Sequence, residues 1–197
     1  MTLLTICEGL ALNVGLEVPT AVVTSSLREW DEAVQFANEA GEELARRVDW
    51  GVLHSTATLT GDGTNKVHTL TGSRLDAGVT VKTSTGYVRP LTQAEWNTLT
   101  AVSGTPRYFL KQGNSVTLWP YLANAATVTA SYISKSWASS GATFLADTDT
   151  ALIDEGLLLK GLIVRWRRQK GMSYADEEAE YEAALAQFAD FDGRSRI

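Results

Sequence analysis

Cysteine is nearly absent from this sequence. Cys7 is the single cysteine in 197 residues, so one chain cannot form an intramolecular disulfide or a zinc site built from several cysteines. Cys7 falls on the apolar side of a predicted helix, and free cysteine is among the residues most often buried. We therefore predict that Cys7 is a small core residue. A chain of this length can bury a core without covalent cross-links.

The sequence also lacks a long uninterrupted hydrophobic run. Its N-terminus has neither the basic region nor the apolar core of a secretory signal peptide. The most apolar stretch, residues 152–164, contains the charged residues Asp154, Glu155 and Lys160 and is shorter than the roughly 20 residues that a membrane-spanning helix needs. We expect no contact with a membrane, and a protein that is made and used on the cytoplasmic side.

Signatures of enzymes are missing as well. The patterns GxxxxGK, GxGxxG, GxSxG and HExxH do not occur, although each marks a common phosphate, nucleotide, nucleophile or zinc site. The two histidines, His54 and His68, have no Cys, Asp or Glu at a spacing suited to metal binding. The acids in residues 147–155 lack the central glycine and the closing glutamate of a calcium loop. The sequence predicts no catalytic residue, no metal and no cofactor.

Charge is abundant but unevenly distributed. The net charge is -6, yet residues 53–145 hold seven Lys and Arg against three acids, and the remainder holds ten against twenty. Proteins that bind nucleic acids generally neutralise phosphates with clustered Lys and Arg. The acidic character of the residues outside 53–145 argues against a general nucleic-acid-binding protein. An acidic protein can nevertheless surround DNA without binding it.

Helical patterns occupy both ends of the chain. Apolar residues at three- and four-residue steps predict a first helix that Gly15 ends, and a second from about Leu27 to Val48. A third helix is predicted from 151 to about 170, capped by Asp149 or Thr150 and ended by Gly171. A fourth begins after Ser173. Between residues 152 and 164 the third helix is apolar around most of its circumference, so we expect it to have neighbours on several sides.

The middle of the chain is rich in threonine and in alternating β-branched residues, which predict strands. The segments GDG at 61–63 and QGN at 112–114 are the best candidates for hairpin turns. Within this region residues 91–102 are predicted as a short helix, because Thr92 and Glu95 have the spacing of a capping box.

These patterns predict an α+β fold. Two N-terminal and two C-terminal helices would form a helical bundle with an inserted antiparallel β-rich block. The expected boundaries are 1–52 for the N-terminal helices, 53–145 for the β-rich block, 146–192 for the C-terminal helical hairpin and 193–197 for a C-terminal tail.

A basic cluster lies at the end of the third helix, with Trp166 interleaved among Arg165, Arg167, Arg168 and Lys170. It allows two interpretations, contact with DNA or ionic pairing within or between subunits. The second is favoured, because the acidic patch of residues 176–182 follows across a turn and because Arg and Trp are enriched at protein interfaces.

Several stretches together resemble the head-tail adaptor proteins of tailed bacteriophages and related particles. They are TLLTICEGLALNVGL, the helix ending ELARRVDW, the threonine-rich strands, and GLLLKGLIVRWRRQKGMSYADEEAEYEAALAQF. This resemblance covers nearly the whole chain. It implies a structural protein of the virion, located at the head–tail junction and assembled in the host cytoplasm. In such adaptors a dodecameric ring lies below the portal protein, extends the DNA channel and docks the next tail or nozzle component.

The resemblance also suggests roles for particular residues. A ring needs contacts between neighbouring subunits, which we assign to the closing helices and their basic cluster: Leu152, Leu159, Ile163, Arg165, Trp166 and Arg168. C-terminal segments of some adaptors reach into the portal, and the corresponding portal-binding residues would be Arg194, Ser195, Arg196 and Ile197. DNA would pass through the channel without specific binding.

Two other functions remain open from the sequence. One is a DNA-binding packaging or regulatory protein that uses the cluster from Arg165 to Lys170. The other is a hydrolytic tail protein whose strand-rich block is catalytic.

Overall fold

Helix α1 (Leu3–Val14) ends at Gly15, as its sequence predicts. The computed structural model describes residues 1–74 and 77–193. The Thr2 hydroxyl caps the helix by accepting a hydrogen bond from the Thr5 N–H at 3.3 Å. Gly15 ends it in the left-handed region, with φ 75°, which glycine adopts without steric cost. The apolar face is fully buried, as predicted for Cys7: Leu3, Ile6, Cys7, Leu10 and Ala11.

Helix α2 (Arg28–Arg47) buries a face made largely of small residues: Ala33, Ala37, Ala40, Gly41 and Ala45, with Trp30 and Leu44. Small side chains allow close approach of a neighbouring helix. A Cβ on Gly161 of the closing helix pair would lie only 3.4 Å from the Cβ of Ala40. The acidic residues of α2 stay on the remaining faces.

The closing helices are α4 (Glu155–Gln169) and α5 (Ala175–Gly193); α3 belongs to the strand region described below. The predicted start of α4 at residue 151 is wrong, because Asp154 is its N-cap and accepts a hydrogen bond from the Leu157 N–H at 2.7 Å. Thr150 and Ala151 instead form isolated β-bridges with Thr2 and Ala138. Backbone pairing of these residues therefore replaces the first predicted helical turn.

Helix α4 contacts α1, α2 and α5. Its buried residues point in several directions around the helix: Leu157, Leu158, Gly161, Leu162, Ile163, Val164 and Trp166. The expectation that this helix has neighbours on several sides is thus met by other helices of the same chain. These buried residues are thus covered without a second subunit.

The strand region forms a separate compact unit, His54–Ser134. Its strands are β1 (His54–Thr60), β2 (Val67–Thr69), β3 (Val79–Thr83), β4 (Gly86–Pro90), β5 (Ser103–Gly104), β6 (Tyr108–Gln112), β7 (Ser115–Trp119), β8 (Tyr121–Leu122) and β9 (Thr127–Ile133). In the described residues, the main sheet has the order β1-β9-β3-β4-β6-β7-β2. All its pairs are antiparallel except β4 with β6, so the expected antiparallel block is a mixed sheet. Its core includes Val81, Val116, Leu118 and Ala130, all fully buried.

Two of the predicted local features in this unit are confirmed and two are corrected. Gly113, at φ 59°, turns the chain between the paired strands β6 and β7, and the Thr92–Glu95 capping box is present. The helix it starts, α3 (Gln93–Trp96), is one turn long. GDG at 61–63 is not a hairpin turn, because β1 pairs with β9 and β2 pairs with β7. The Asp62 carboxylate instead accepts hydrogen bonds from the N–H groups of Thr64 and Asn65.

Helices α1, α2, α4 and α5 belong to the other compact unit, which comprises residues 1–53 and the described part of 135–197. Helices and a large, mostly antiparallel sheet confirm the α+β class. Residues 135–145, which the sequence patterns assign to the β-rich block, lie in the helical unit. Trp137, in that segment, is 1% exposed.

Candidate functional site

The basic end of α4 and the acidic start of α5 face each other across the turn at Gly171. Arg167 pairs with Glu177 at 2.9 Å, and Arg168 pairs with Glu178 at 2.5 Å. Farther from the turn along both helices, the Lys160 ammonium lies 2.9 Å from the Glu180 carboxylate. The predicted matching of opposite charges within this hairpin is confirmed.

Helix α2 supplies the remaining carboxylates. Arg165 pairs with Glu43 and donates a second hydrogen bond to the Gly161 carbonyl. Lys170 pairs with Glu32 at 2.5 Å, and this hydrogen bond is the largest cause of the lowered pKa of Glu32. Each cation of the cluster therefore has an acidic partner in its own chain. Ionic pairing is thus favoured over DNA contact for the cluster.

Arg47 joins α2 to α5. Its guanidinium donates two hydrogen bonds to the Glu182 carboxylate, at 2.7 and 2.6 Å, the bidentate geometry that suits an Arg–carboxylate pair. The bond from Arg47 is the main cause of the lowered pKa of Glu182. Residues of α2 were not among the sequence candidates. The i, i+4 spacing of Glu43 and Arg47 was visible in the sequence, but their partners on α4 and α5 are more than a hundred residues away.

Trp166 is part of the core and not of an open surface. It is 3% exposed, and Phe36 packs against it edge to face, with 6.4 Å between ring centroids. The Lys170 ammonium lies 4.7 Å from its ring centroid, within the range of a cation–π contact. A buried indole of this kind cannot stack on a nucleic-acid base.

One shallow depression in the helical unit presents apolar side chains to solvent. It is lined by Trp50, Val52, Ala151, Leu152, Ile153, Asp154 and Glu155. Val52 is 57% exposed and Leu152 is 45% exposed. An open depression of this mixed composition suits protein side chains better than a small molecule, because small-molecule sites bury most of their ligand.

In the described residues, no group of three or more His, Cys, Asp and Glu side chains is placed to hold a metal ion. Burial lowers the pKa of His68, and its Nε2 has no hydrogen-bond partner within that part of the chain. His54 is exposed at the start of β1.

The whole chain matches one known protein family. The family model described as SU10 adaptor protein matches residues 1–197. The chain belongs to the SU10 adaptor protein family. No curated protein matches it.

SU10 adaptors are a family of phage head-tail adaptors. This SU10 adaptor is therefore a structural component of a phage virion that interacts with other head and tail proteins. Its family points to a non-enzymatic role. Among its described helices, none has the length and apolar character required to cross a membrane.

The residues assigned to a subunit interface lie in different environments in this SU10 adaptor. Leu152 is exposed, whereas Ile163 and Trp166 are 8% and 3% exposed and so have little surface left for a second subunit. Leu159 is half-buried beside Gly9 of α1, where an added Cβ would lie 2.9 Å from its Cδ2. Arg165 and Arg168 are ion-paired within the chain. Val52 lines the same depression as Leu152 and was not among the sequence candidates, since nothing in the sequence places the two residues together. The residues assigned to portal binding, Arg194, Ser195, Arg196 and Ile197, lie outside the described residues.

Proposed function

We propose that this SU10 adaptor forms a dodecameric ring below the portal protein, where it extends the DNA channel and docks the next tail or nozzle component. The family match over the whole chain carries this proposal. Proteins that close a ring through one repeated contact need two different complementary surfaces on each subunit. The exposed apolar side chains of Val52 and Leu152 are suited to one of these surfaces.

The proposed subunit contact centres on Leu152. Further along α4, half-buried Leu159 would add apolar surface, and Arg165 and Arg168 would add charge. Ile163 and Trp166 are buried within the subunit, so their part in the contact would be indirect. Interfaces of this kind combine an apolar centre with a polar rim.

The proposed portal contact is the C-terminal segment of Arg194, Ser195, Arg196 and Ile197. Its sequence contains two arginines and no acid, so it would suit an acidic groove on the portal. Removing residues 194–197 should abolish co-purification with the portal, while the wild-type chain keeps it. Retained portal binding would contradict this assignment.

DNA would pass through the ring without specific binding. The net charge of -6 repels the phosphate backbone at short range, and the cations of the α4 cluster are paired with acids of the same chain. We expect the isolated protein not to retain duplex DNA at physiological salt. Salt-sensitive binding that disappears on charge reversal at Arg165 and Arg168 would instead support a DNA-binding function.

Native mass spectrometry of the protein, with and without portal, tests the ring directly. The expected result is a closed assembly with the portal, and its mass gives the subunit number. Leu152→Asp should block that assembly, because it introduces a charge at the centre of the contact. Leu12→Asp is the matched control, since Leu12 is 75% exposed on α1 and is not assigned to any contact. A wild-type chain that stays monomeric beside the portal would overturn the proposal.

A further inference from the structure

The main sheet of the strand unit ends in two very different edge strands. In the described part of the chain, β1 and β2 are the terminal strands of the sheet order. β2 has three residues and follows Lys66, whereas β1 has seven residues. Short length and a nearby lysine are common ways to prevent an edge from pairing with another chain. The β2 edge is therefore protected by its length and its lysine.

The backbone direction of β1 follows from one hydrogen bond. The Gly61 N–H donates to the Ala126 carbonyl at 2.8 Å, in the register that continues the pairs of β1 with β9. In antiparallel strands, hydrogen-bonded pairs alternate with non-hydrogen-bonded pairs. The odd-numbered residues of β1 therefore bond to β9. Thr56 and Thr58 direct their N–H and C=O groups to the opposite side, where no other described strand pairs with β1.

β1 lacks the sequence features that commonly prevent an edge strand from pairing with another strand. It contains no proline, lysine, arginine or acid, and its residues favour extended structure. The side chains of Thr56, Thr58 and Thr60 are exposed, and Ala57, on the face toward the sheet core, is only half-buried. An exposed edge of this length that is free of charge is a site for pairing with a further strand.

We propose that β1 binds an extended segment of another protein of the head–tail junction, which adds to the sheet as a strand beside it. The inference that the added strand comes from a different protein rests on the ring proposed above. Pairing of two β1 strands from two copies is isologous and closes at two subunits, so it does not build a ring. Pairing of β1 with β2 of a neighbour would use three of its seven residues. A strand from a different virion protein can pair along the whole edge.

The chemistry of β1 defines the segment that it would accept. Main-chain hydrogen bonds to Thr56 and Thr58 provide affinity, and alternate side chains of the segment provide selectivity. On the core side, small apolar side chains would cover Ala57 and extend the apolar surface around Leu59. On the other side, polar or β-branched side chains would continue the row of threonines. A segment of at least about five residues without proline satisfies this pattern.

Two substitutions at Thr58 separate backbone pairing from side-chain effects. Thr58→Pro removes an N–H that makes no bond to β9, so the ladder with β9 is retained while the edge can no longer pair fully. Thr58→Val is the matched control, because it keeps the N–H and the β-branched shape. Circular dichroism and thermal melting of both variants confirm that each one folds.

Hydrogen exchange measured by mass spectrometry compares the full-length protein alone with the same protein in purified phage particles. We expect the amides of Thr56 and Thr58 to exchange at least about ten-fold more slowly in the particle. A photo-crosslinker placed at position 56 should then join the chain to a different virion protein. Particles made with Thr58→Pro should lose this crosslink, and particles made with Thr58→Val should keep it.

Two results would overturn the inference. One is unchanged exchange of the β1 amides together with no crosslink, and the other is a crosslink to a second copy of this chain. The mass of the complex with portal, measured on the same variants, reports on the ring separately. A complete ring whose β1 edge stays in fast exchange would reject the added strand and leave the ring intact.

Discussion

The indole of Trp137 lies directly against the Cα of Gly41 in α2. A Cβ built on Gly41 would overlap three atoms of the Trp137 ring. That ring has little room to move, because Trp137 is 1% exposed and Phe144 packs edge to face against it at 4.8 Å. Glycine at position 41 is thus required by the segment that follows the strand unit.

Gly41→Ala should destabilise the helical unit although alanine favours helices. With three ring atoms less than 3.0 Å from the added Cβ, we expect the overpacking cost to lie in the upper part of about 1–3 kcal/mol, above the roughly 1 kcal/mol gained in helix propensity. Thermal unfolding should show the loss, and the double variant with Trp137→Phe should recover part of it. Gly156→Ala is the control, since an added Cβ there meets a single neighbouring atom, Asp154 Oδ1, at 3.3 Å. Equal stability of Gly41→Ala and wild type would contradict the overlap.

Asp147 fixes the segment between α1 and α2. Its carboxylate accepts hydrogen bonds from the N–H groups of Val22 and Val23, at 3.2 and 2.8 Å. Asp147→Ala should lower the free energy of unfolding by about 1–3 kcal/mol, because these N–H groups lose their acceptor. Asp147→Asn should lose less, since its amide oxygen can still accept. Urea denaturation measures both, with the exposed Glu17→Ala as a control that should change little. A similar loss for Asn and Ala would argue against the hydrogen bonds.

Cys7 should be chemically inert in the folded protein. Burial, followed by the charge of Asp147, raises the pKa of its thiol to about 12, and thiolate is the reactive form. Iodoacetamide at pH 8 should leave Cys7 unlabelled until denaturant is added. Leu12→Cys, on the exposed side of the same helix, should label at once. Rapid native labelling at Cys7 would contradict its burial.

The same thiol makes stability depend on alkaline pH. Its folded pKa is above the value of about 8.5 for an unfolded cysteine, so the unfolded state loses its proton first. The contribution to stability is therefore constant below about pH 8 and declines as pH rises beyond that value. Denaturation at pH 7 to 10 should show this decline for wild type and a smaller one for Cys7→Ser. Identical pH profiles would show that Cys7 does not contribute.

Glu182 should make stability depend on acidic pH. Its folded pKa is lowered by the hydrogen bond from Arg47, so its contribution is present above the unfolded value of about 4.3 and is lost as pH falls through the folded value. Both side chains are partly exposed, which makes the effect modest. Glu182→Gln should flatten the profile between pH 6 and 3, whereas Glu17→Gln should not. An unchanged slope in Glu182→Gln would rule out this pair as a source of acid sensitivity.

Local features of this protein were determined by its sequence alone. Thr2 and Gly15 specify the ends of α1, Thr92 and Glu95 specify a capping box, and Gly113 specifies the β6–β7 turn, because each depends on residues within a few positions. Alternation and periodicity separated helices from strands well enough to predict an α+β fold. The charge matching of α4 and α5 followed from their closeness in sequence.

Other features were decided only by the tertiary structure, because they depend on residues far apart in the chain. Whether the apolar circumference of α4 faces another subunit or its own chain depends on α1 and α2, more than a hundred residues away. The pairs Arg165–Glu43 and Lys170–Glu32, which occupy the basic cluster, have the same origin. The free edge of β1 was also decided by the tertiary structure, since periodicity predicts a strand but does not predict which strands lie beside it. Helix packing and strand pairing depend on contacts between residues far apart in the chain, and local sequence patterns do not predict these contacts.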